Sequence, residues 1–461
     1  MLNLKQIIEA SKGKYINGNM NKMICGYSID SRLIKEDEFF IPIVGEKTDA
    51  HKYILTLIEK KISGFFIQSS NKEKEDIIQK SININKDICI VEIENSEKAL
   101  YQIGMHNRKL HMNIPVVAVT GSVGKTSTKE MIASILETQL NVIKTYKNFN
   151  GYIGLSLMLL KLENQDVAVL EHGIDRINEM NELSLASKPD ISVVTMIGTS
   201  HIGIFGSRDV IFNEKLNITN YMKDNAILIL NEDDKYLKSY KNERLKINEY
   251  SINDVNNINI VENSTEFNTK IYNENVNVII DEIGKHNIYN SLAGIKVAEK
   301  FNISKDNILK GIKNYKNFER RFQKILLKDN IQIIDDTYNA SIDSMKSGII
   351  ASGNISSFRK IIVLGDMLEL GNYSKELHED VGKIFKEEKV DILYTFGKES
   401  KYIANEAKKY ITNVKYFSDS DKEELIKDLI ENICPNDLIY FKASNGMKFN
   451  EIIEIIKTKY L

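Results

Sequence analysis

The sequence predicts an α/β protein built on parallel sheets, and three observations support this prediction. First, short apolar runs rich in β-branched residues alternate with longer segments of helical spacing, which is typical of parallel α/β sheets. Second, one of these runs leads through a glycine-rich loop into a helix. Third, the chain has 461 residues, 42% of them hydrophobic, which at about 100–200 residues per domain is enough for two to four domains. The runs interpreted as strands are Val116–Val119, Val167–Leu170, Ile191–Thr195, Ile227–Leu230, Ile361–Leu364 and Leu438–Phe441.

Three blocks are predicted along the chain, over residues 1–100, 101–314 and 315–461. The first is a small α/β unit, and a helix over Ser96–Leu110 leads from it into the second. The second begins its sheet at Val116–Val119 and includes an Asn-rich region near 240–280, which predicts short strands and turns. The third is expected to open with a strand around Ile331–Ile334.

Charge and cysteine content argue against several classes of protein. Lys and Arg number 62 against 64 Asp and Glu, a net charge of −2, so the overall basic field of a nucleic-acid-binding protein is absent. The three cysteines form no CxxC pair, which argues against a disulfide scaffold or a thiolate zinc site. The N-terminus has no long apolar run, and no apolar stretch reaches the roughly 18 residues of a membrane span. We therefore expect a cytoplasmic protein without a signal peptide.

A glycine-rich loop at the start of the second block predicts a phosphate site. The segment VVAVTGSVGKTS covers residues 116–127, and apolar residues at helical spacing follow it. Its glycines let backbone N–H groups surround phosphate oxygens, and the helix N-terminus adds partial positive charge. The pattern is the shorter TGxxGKT form, and the alternative is a β-to-α turn with an incidental lysine. The predicted ATP contacts are Gly121, Ser122, Gly124, Lys125, Thr126 and Ser127, with Lys125 facing the β- and γ-phosphates and Thr126 also binding Mg²⁺.

This loop, together with segments along nearly the whole chain, resembles the ATP-dependent Mur ligases of peptidoglycan synthesis. The resemblance implies a UDP-substrate-binding domain over residues 1–100, a central ATP-binding domain with a P-loop-type parallel sheet over 101–314, and a Rossmann-like C-terminal domain over 315–461. It implies small-molecule substrates, ATP, two Mg²⁺ ions and no nucleic acid. A monomer is expected.

Segments of the first two blocks resemble substrate-binding segments of the family. SIDSR, at residues 28–32, and GEKTDAH, at 45–51, resemble segments that border the uridine nucleotide and imply that Ser31, Arg32 and Asp49 bind the UDP substrate. On its own, DSR is more typical of a surface turn. NFNGYIG, at residues 148–154, implies that Asn148 and Asn150 lie near the sugar and phosphates, although Gly151, Tyr152 and Ser156 depart from the family pattern.

Two residues after predicted strands, together with a lysine further along the chain, suggest a metal centre. Glu171 and His201 follow strands whose carboxyl ends are the usual ligand edge of a parallel sheet, and carboxylate oxygens suit Mg²⁺. The resemblance implies that both ligate Mg²⁺; a core or helix-capping role is the alternative for His201. It also implies that Lys215 is carbamylated by CO₂, which would turn a cation into an anionic metal ligand, whereas the sequence alone favours a surface lysine on a helix. No role is predicted for His172.

The remaining segments that resemble the family lie near the end of the second block and in the third block. GKHNIYNSLA, at residues 284–293, implies that the Asn290 amide reads adenine, with helix capping as the alternative. RRFQ and DDTYNASIDSM imply that Arg321 reaches the γ-phosphate, that Asp336 binds the ribose, and that Tyr338 and Asn339 face phosphate and the incoming amine. The implied catalytic group is Lys125, Glu171, His201, Lys215 and Arg321.

One segment selects a branch of the family. LGDMLELG, at residues 364–371 with His378 after it, favours the branch that joins D-alanyl-D-alanine to a UDP-N-acetylmuramoyl-tripeptide through an acyl phosphate. Departures at Ile342, Ala443 and Asn445 leave open a related ligase with another amino component. Two interpretations without ligase chemistry also stay open: a non-catalytic nucleotide-binding protein and a nucleic-acid-stimulated ATPase. The complete set of metal residues argues against the former, and the balanced charge argues against the latter.

Overall fold

Four β-sheets organise the computed structural model over the residues it describes, 1–261 and 264–460. Three of them are wholly or mostly parallel and are interleaved with helices, which confirms the predicted α/β class. We number strands and helices in chain order.

The first block is built on a five-stranded sheet. Its elements are α1 Leu4–Ser11, β1 Lys14–Asn17, β2 Gly26–Ser28, β3 Glu38–Phe40, α2 Ile54–Glu59, β4 Gly64–Gln68, α3 Lys74–Ile84 and β5 Cys89–Ile93. The strand order is β1–β5–β4–β3–β2, in which β1 alone runs antiparallel to its neighbour. Helix α4, Ser96–Leu110, follows with the predicted bounds and is capped by the Asn95 side chain, which accepts from Lys98 N.

The second block contains a six-stranded parallel sheet and a small antiparallel one. Its elements are β6 Val116–Thr120, α5 Lys125–Leu136, β7 Val142–Lys144, α6 Tyr152–Leu159, β8 Val167–Glu171, α7 Glu179–Ser187, β9 Ile191–Val194, α8 Ile202–Phe205, α9 Arg208–Leu216, β10 Ile227–Asn231, β11 Lys246–Tyr250, β12 Asn256–Val261, β13 Ser264–Ile271, β14 Glu274–Ile280, α10 His286–Lys300 and α11 Lys305–Asn314. The parallel sheet has the order β11–β10–β9–β6–β8–β7. Strands β12, β13 and β14 form the antiparallel sheet, in the Asn-rich region where short strands were predicted.

The third block is a second six-stranded sheet with helices. Its elements are β15 Gln323–Leu326, β16 Gln332–Asp335, α12 Ile342–Gly353, β17 Arg359–Gly365, α13 Ser374–Gly382, β18 Ile392–Phe396, α14 Lys401–Ala407, β19 Val414–Phe417, α15 Lys422–Asn432, β20 Asp437–Lys442 and α16 Phe449–Tyr460. The order is β15–β16–β20–β17–β18–β19, parallel except for β15. The strand predicted around Ile331–Ile334 is present as β16, but the prediction that it is the first strand of the block was wrong, because β15 precedes it and pairs back onto it.

One apolar cluster connects the second and third blocks. It contains Leu170 of β8, Ile202 and Phe205 of α8, and Met367 and Leu370 after β17, all at most 6% exposed. Because the same cluster includes side chains from both blocks, burial of apolar surface holds the two sheets against each other.

No helix among the described residues is both long and apolar enough to cross a lipid bilayer.

Candidate functional site

Three neighbouring strands of the central sheet end at one place. β6 lies between β8 and β9, and all three run parallel. The glycine loop follows β6, Glu171 ends β8, and the segment leading to His201 follows β9. The chain order changes direction across β6, and such a switch point opens a crevice at the carboxyl edge of a parallel sheet.

The glycine loop depends on two backbone positions. Gly121 has φ +148° and Gly124 has φ +86°, a region that side-chain-bearing residues rarely adopt. A Cβ on Gly121 would lie 1.9 Å from Thr195 Oγ1, so the close approach of β9 also requires glycine there. Helix α5 then begins at Lys125, which directs its N-terminal N–H groups toward the loop.

The loop side chains surround the same crevice. Lys125 Nζ donates to Gly121 O at 2.9 Å, and burial lowers the pKa of its amine while the nearby Glu171 carboxylate opposes that shift. Ser122 and Thr126 are buried, and Ser122 Oγ has no hydrogen-bond partner in the described part of the chain.

A cavity of about 290 Å³ gathers predicted residues from both blocks. Lys125, Asn148, Asn150, Glu171 and His201 line it from the second block, and Arg321, Tyr338 and Asn339 line it from the third. The third block brings its residues to the cavity for the same reason. The segments after its parallel strands β16, β17 and β20 lie at one edge of its sheet.

Glu171 suits a metal ligand in its present surroundings. Its side chain is 2% exposed, and Oε1 accepts from Asn150 Nδ2 at 2.8 Å. Oε2 is buried without a hydrogen-bond partner among residues 1–261 and 264–460. A buried carboxylate oxygen without a partner is costly, and a bound Mg²⁺ would satisfy it. The described residues contain no group of three or more His, Cys, Asp or Glu placed to hold a metal ion.

His201 lies between two carboxylates from different blocks. Its Nδ1 is 2.5 Å from Glu369 Oε2, and its Nε2 is 3.7 Å from Asp175 Oδ1. The close contact with His201 lowers the pKa of the Glu369 carboxyl from its ordinary value, although His201 Nδ1 makes no hydrogen bond within the described residues.

Lys215 on α9 is buried beside this cavity. It is only 2% exposed, and burial lowers the pKa of its amine well below the ordinary range. The charge of Lys125 adds to this shift, and the carboxylates of Asp175, Glu214 and Glu171 oppose it. The surface-lysine alternative is therefore wrong, and burial favours the neutral form of the amine.

A second, smaller cavity of about 90 Å³ lies at the predicted nucleotide end. Gly124, Ser127, Asn290, Arg321 and Asp336 line it. Arg321 therefore lines both cavities. His286 and Lys442 also line the smaller cavity, although the sequence predicted no role for either.

Asn290 and Asp336 already have partners within the protein. Asn290 Oδ1 accepts from Thr128 Oγ1 at 2.9 Å, and its Nδ2 donates to Asn287 Oδ1 at 3.3 Å. Asp336 Oδ2 accepts from Lys442 Nζ at 2.5 Å and from Tyr440 at 3.0 Å. A nucleotide at this cavity would meet an amide and a carboxylate that are fixed in place.

The predicted UDP residues lie apart from both cavities. The Arg32 guanidinium binds Asp30 through two hydrogen bonds of 2.9 and 2.7 Å, and this contact lowers the pKa of Asp30 to about 2. Asp49 Oδ1 lies 2.6 Å from Nδ1 of the buried His51, and Ser31 is half-buried on the neighbouring turn.

A third cavity, of about 1030 Å³, extends from α4 to the residues around Asn148 and Asn150. It shares those two residues and Asp175 with the 290 Å³ cavity, so it offers space for a large substrate next to the site.

Two residues show what the sequence did not reveal. His172 is fully buried, neither ring nitrogen has a partner in the described ranges, and burial lowers its pKa to about 3. It is therefore neutral, and it does not line the cavity that contains Glu171. Glu369, by contrast, lies within the LGDMLELG segment, but its contact with His201 could not be read from sequence.

Comparisons with known proteins agree with this geometry. The Mur ligase middle domain matches residues 119–298, and the domain described as Mur ligase, glutamate ligase domain matches residues 320–445. The UDP-N-acetylmuramoyl-tripeptide–D-alanyl-D-alanine ligase of Bacillus subtilis (strain 168) is 34% identical over 460 residues, covering 98% of this chain and 97% of that protein.

Two solved structures share the architecture. A crystal structure of MurF from Acinetobacter baumannii superposes with a TM-score of 0.86 at 25% identity, covering 99% of this chain and 98% of that one. MurF ligase from Thermotoga maritima, in complex with ADP, gives a TM-score of 0.80 at 25% identity, covering 95% and 98%. With identity of 34% along nearly its full length and both domain matches, the chain belongs to the Mur ligase family.

Proposed function

We propose that the chain is an ATP-dependent, ADP-forming amide ligase that joins D-alanyl-D-alanine to UDP-N-acetylmuramoyl-tripeptide. The observation that carries this proposal is the 290 Å³ cavity, where Lys125, Glu171 and His201 face Arg321, Tyr338 and Asn339 from another block. Groups suited to bind phosphate and groups suited to bind a carboxylate substrate thus line the same cavity. The name of the Bacillus subtilis relative supports the choice of the two substrates.

The reaction follows from charge and position. A carboxylate oxygen of the tripeptide attacks the γ-phosphorus of ATP, the bond to the β-phosphate oxygen breaks, and ADP leaves an acyl phosphate. The neutral amine of the dipeptide then attacks the acyl carbon, inorganic phosphate departs with the C–O electron pair, and the nitrogen releases one proton to solvent as the amide forms. Lys125 and Arg321 stabilise charge on the transferring phosphoryl group, and apposition of the two blocks excludes water that would hydrolyse the acyl phosphate.

Two Mg²⁺ ions fit the residues described. Thr126, Glu171, His201 and a modified Lys215 would hold them, and when bound they would neutralise phosphate oxygens. The orphaned Oε2 of Glu171 supports this assignment.

Carbamylation of Lys215 is part of the proposal. Only a neutral amine adds CO₂, and burial favours that form. The N–C bond forms with loss of one amine proton, which leaves an anionic carbamate. The result places negative charge beside the Lys125 ammonium.

The remaining assignments place substrates around this centre. Gly121, Ser122, Gly124, Ser127, Asn290 and Asp336 bind ATP, with Asn290 at the adenine and Asp336 at the ribose. Ser31, Arg32 and Asp49 bind the UDP part, Asn148 and Asn150 the sugar and phosphates, and Tyr338 and Asn339 the dipeptide side. We further propose the three domains 1–100, 101–314 and 315–461, a monomer, and a cytoplasmic location.

Mass spectrometry tests the reaction directly. The purified chain is incubated with Mg-ATP, UDP-N-acetylmuramoyl-tripeptide and D-alanyl-D-alanine. The expected result is a UDP-muramyl pentapeptide with stoichiometric ADP. ADP without pentapeptide would show that the amine is wrong, and a panel of amines would then identify the correct one. Neither product, from folded protein that binds ATP, would overturn the ligase assignment.

A further inference from the structure

Two side chains of β20 contact the carboxylate that the proposed function assigns to the ribose of ATP. We propose that Lys442 is a positioning residue for nucleotide binding, which together with Tyr440 fixes the Asp336 carboxylate so that one of its oxygens stays available to a ribose hydroxyl. The sequence predicted no role for Lys442 or Tyr440. The inference rests on the proposed function, because it concerns how that ligase holds its nucleotide.

The arrangement follows from two neighbouring parallel strands. Asp336 comes directly after β16, whose last residue, Asp335, pairs with Phe441 of β20. Asp336 N donates to Phe441 O at 3.0 Å, which continues the pairing by one residue. Side chains two residues apart lie on the same face of a strand. Tyr440 and Lys442 therefore reach Asp336 from one face of β20, whereas Phe441 packs into an apolar cluster on the other face.

The donors to Asp336 are divided unevenly between its two oxygens. Oδ2 accepts from Lys442 Nζ at 2.5 Å and from Tyr440 Oη at 3.0 Å, and Oδ1 accepts from Phe322 N at 3.2 Å. Each carboxylate oxygen has about two acceptor sites. The described contacts thus fill Oδ2 and leave Oδ1 with one acceptor site. A ribose hydroxyl can donate to that site.

Burial fixes the contact between Lys442 and Asp336. Lys442 is 1% exposed, and its Nζ also donates to the backbone oxygen of Asp336 at 3.4 Å. Burial lowers the pKa of the Lys442 amine, and the charge of Asp336 opposes that shift. A buried charge without its partner is strongly unfavourable. The carboxylate therefore cannot rotate away from the lysine without a large energetic cost.

A glycine on α12 makes room for the tyrosine hydroxyl. A Cβ on Gly348 would lie 1.8 Å from Tyr440 Oη and 3.2 Å from Asp336 Oδ2. The backbone of α12 thus packs directly against the hydroxyl and keeps it on the carboxylate. Gly348, Asp336 and Lys442 all line the 90 Å³ cavity together with Asn290. The fixed carboxylate therefore lies where the nucleotide is proposed to bind, and a binding group that is already oriented loses less entropy when the ligand arrives.

The third block contains a matched set of residues elsewhere. Asp428 Oδ2 accepts from Lys415 Nζ at 2.6 Å and from Tyr394 Oη at 2.7 Å. This is the same combination of one carboxylate oxygen, a lysine and a tyrosine, and none of these three residues lines the 290 or the 90 Å³ cavity. The set provides controls for the loss of a lysine–carboxylate pair and of a tyrosine hydroxyl in the same block.

Calorimetric titration with ADP and with 2′,3′-dideoxy-ADP tests the role in the full chain without turnover. The wild type should bind ADP about tenfold more tightly, since a hydrogen bond to a charged acceptor accounts for about that factor. Lys442→Met should reduce this preference to about twofold, because the carboxylate then adopts several orientations. Tyr440→Phe keeps the ring and should reduce the preference to about fivefold. A merely structural role of Lys442 would weaken the binding of both nucleotides equally and leave the preference unchanged.

The control variants Lys415→Met and Tyr394→Phe should keep the wild-type preference for ADP. Combining substitutions shows whether Lys442 acts through Asp336. In the Asp336→Asn background, Lys442→Met should cause no further loss of preference, because both substitutions remove the same contact. A further loss in that background would contradict the positioning role.

Two other results would overturn the inference: a wild type without preference for ADP, or an unchanged preference in Lys442→Met. Tyr440→Phe gives a test that does not depend on the folding of Lys442→Met, and an unchanged preference there would overturn the inference as well. Failure of the wild type to make pentapeptide would overturn the proposed function instead, and it would leave the ratio of the two nucleotide affinities unaffected.

Discussion

The guanidinium carbon of Arg321 lies 4.2 Å from the ring centroid of Tyr338. The two side chains stack at the junction of the 290 and 90 Å³ cavities, since Arg321 lines both. Its Nε is buried without a hydrogen-bond partner in the described residues, so the ring is an important part of what orients it. The Tyr338 ring thus orients the Arg321 guanidinium, which we propose contacts the γ-phosphate.

Tyr338→Leu should lower kcat/KM for ATP about fivefold, because a cation–π contact is worth about 1 kcal/mol. Tyr338→Phe keeps the ring and should retain most of the activity in the same steady-state assay. Equal losses in both variants would show that the hydroxyl, rather than the stacking, matters.

Lys125→Met should lower kcat about a hundredfold or more, since it removes a cation from the phosphoryl-transfer site. The measurement is ADP release in the presence of both other substrates. Lys241→Met, at an exposed lysine, is the control and should keep wild-type rates. An active Lys125→Met enzyme with an unchanged melting temperature would refute the phosphate-loop assignment.

Lys215→Ala should be inactive and should regain part of its activity when short carboxylic acids are added, because these can replace the missing carbamate. Wild-type protein in ¹³CO₂-enriched buffer should show a ¹³C carbamate signal that the variant lacks. Lys223→Ala, at an exposed lysine, should leave both the signal and the rate unchanged. A normal ligation rate in Lys215→Ala would rule the carbamate out.

Convergence of the loops could be predicted from sequence for a physical reason. Parallel strands end at a common edge, so residues after Val116–Thr120, Val167–Glu171 and Ile191–Val194 had to approach one another once those strands were recognised. The burial of Lys215 could not be read in this way, because one lysine on a helix looks the same whether it faces solvent or the sheet.

Two further features depended on contacts between distant parts of the chain. β15, Gln323–Leu326, is a short edge strand of mixed polarity that is ordered by antiparallel pairing with β16, so its own pattern was too weak to detect. Glu369 meets His201 because the second and third blocks are docked through a shared apolar cluster, which no local pattern reveals.

Asn290→Ala should raise the KM for ATP about tenfold and leave the KM for the dipeptide nearly unchanged. The amide lines the smaller cavity, and losing two hydrogen bonds to adenine removes about 1–3 kcal/mol. The structure adds a companion variant, Thr128→Val, because the Thr128 hydroxyl donates to Asn290 Oδ1 at 2.9 Å and holds the amide in one orientation. Thr128→Val keeps the amide and its contact with Asn287 but removes the other contact that orients it, so its KM for ATP should rise by a smaller factor. The measurement is steady-state kinetics with each substrate varied in turn. A rise in the dipeptide KM alone would contradict the assignment of Asn290 to the adenine. Equal effects of both variants would mean that the orientation of the amide, rather than its presence, controls nucleotide binding.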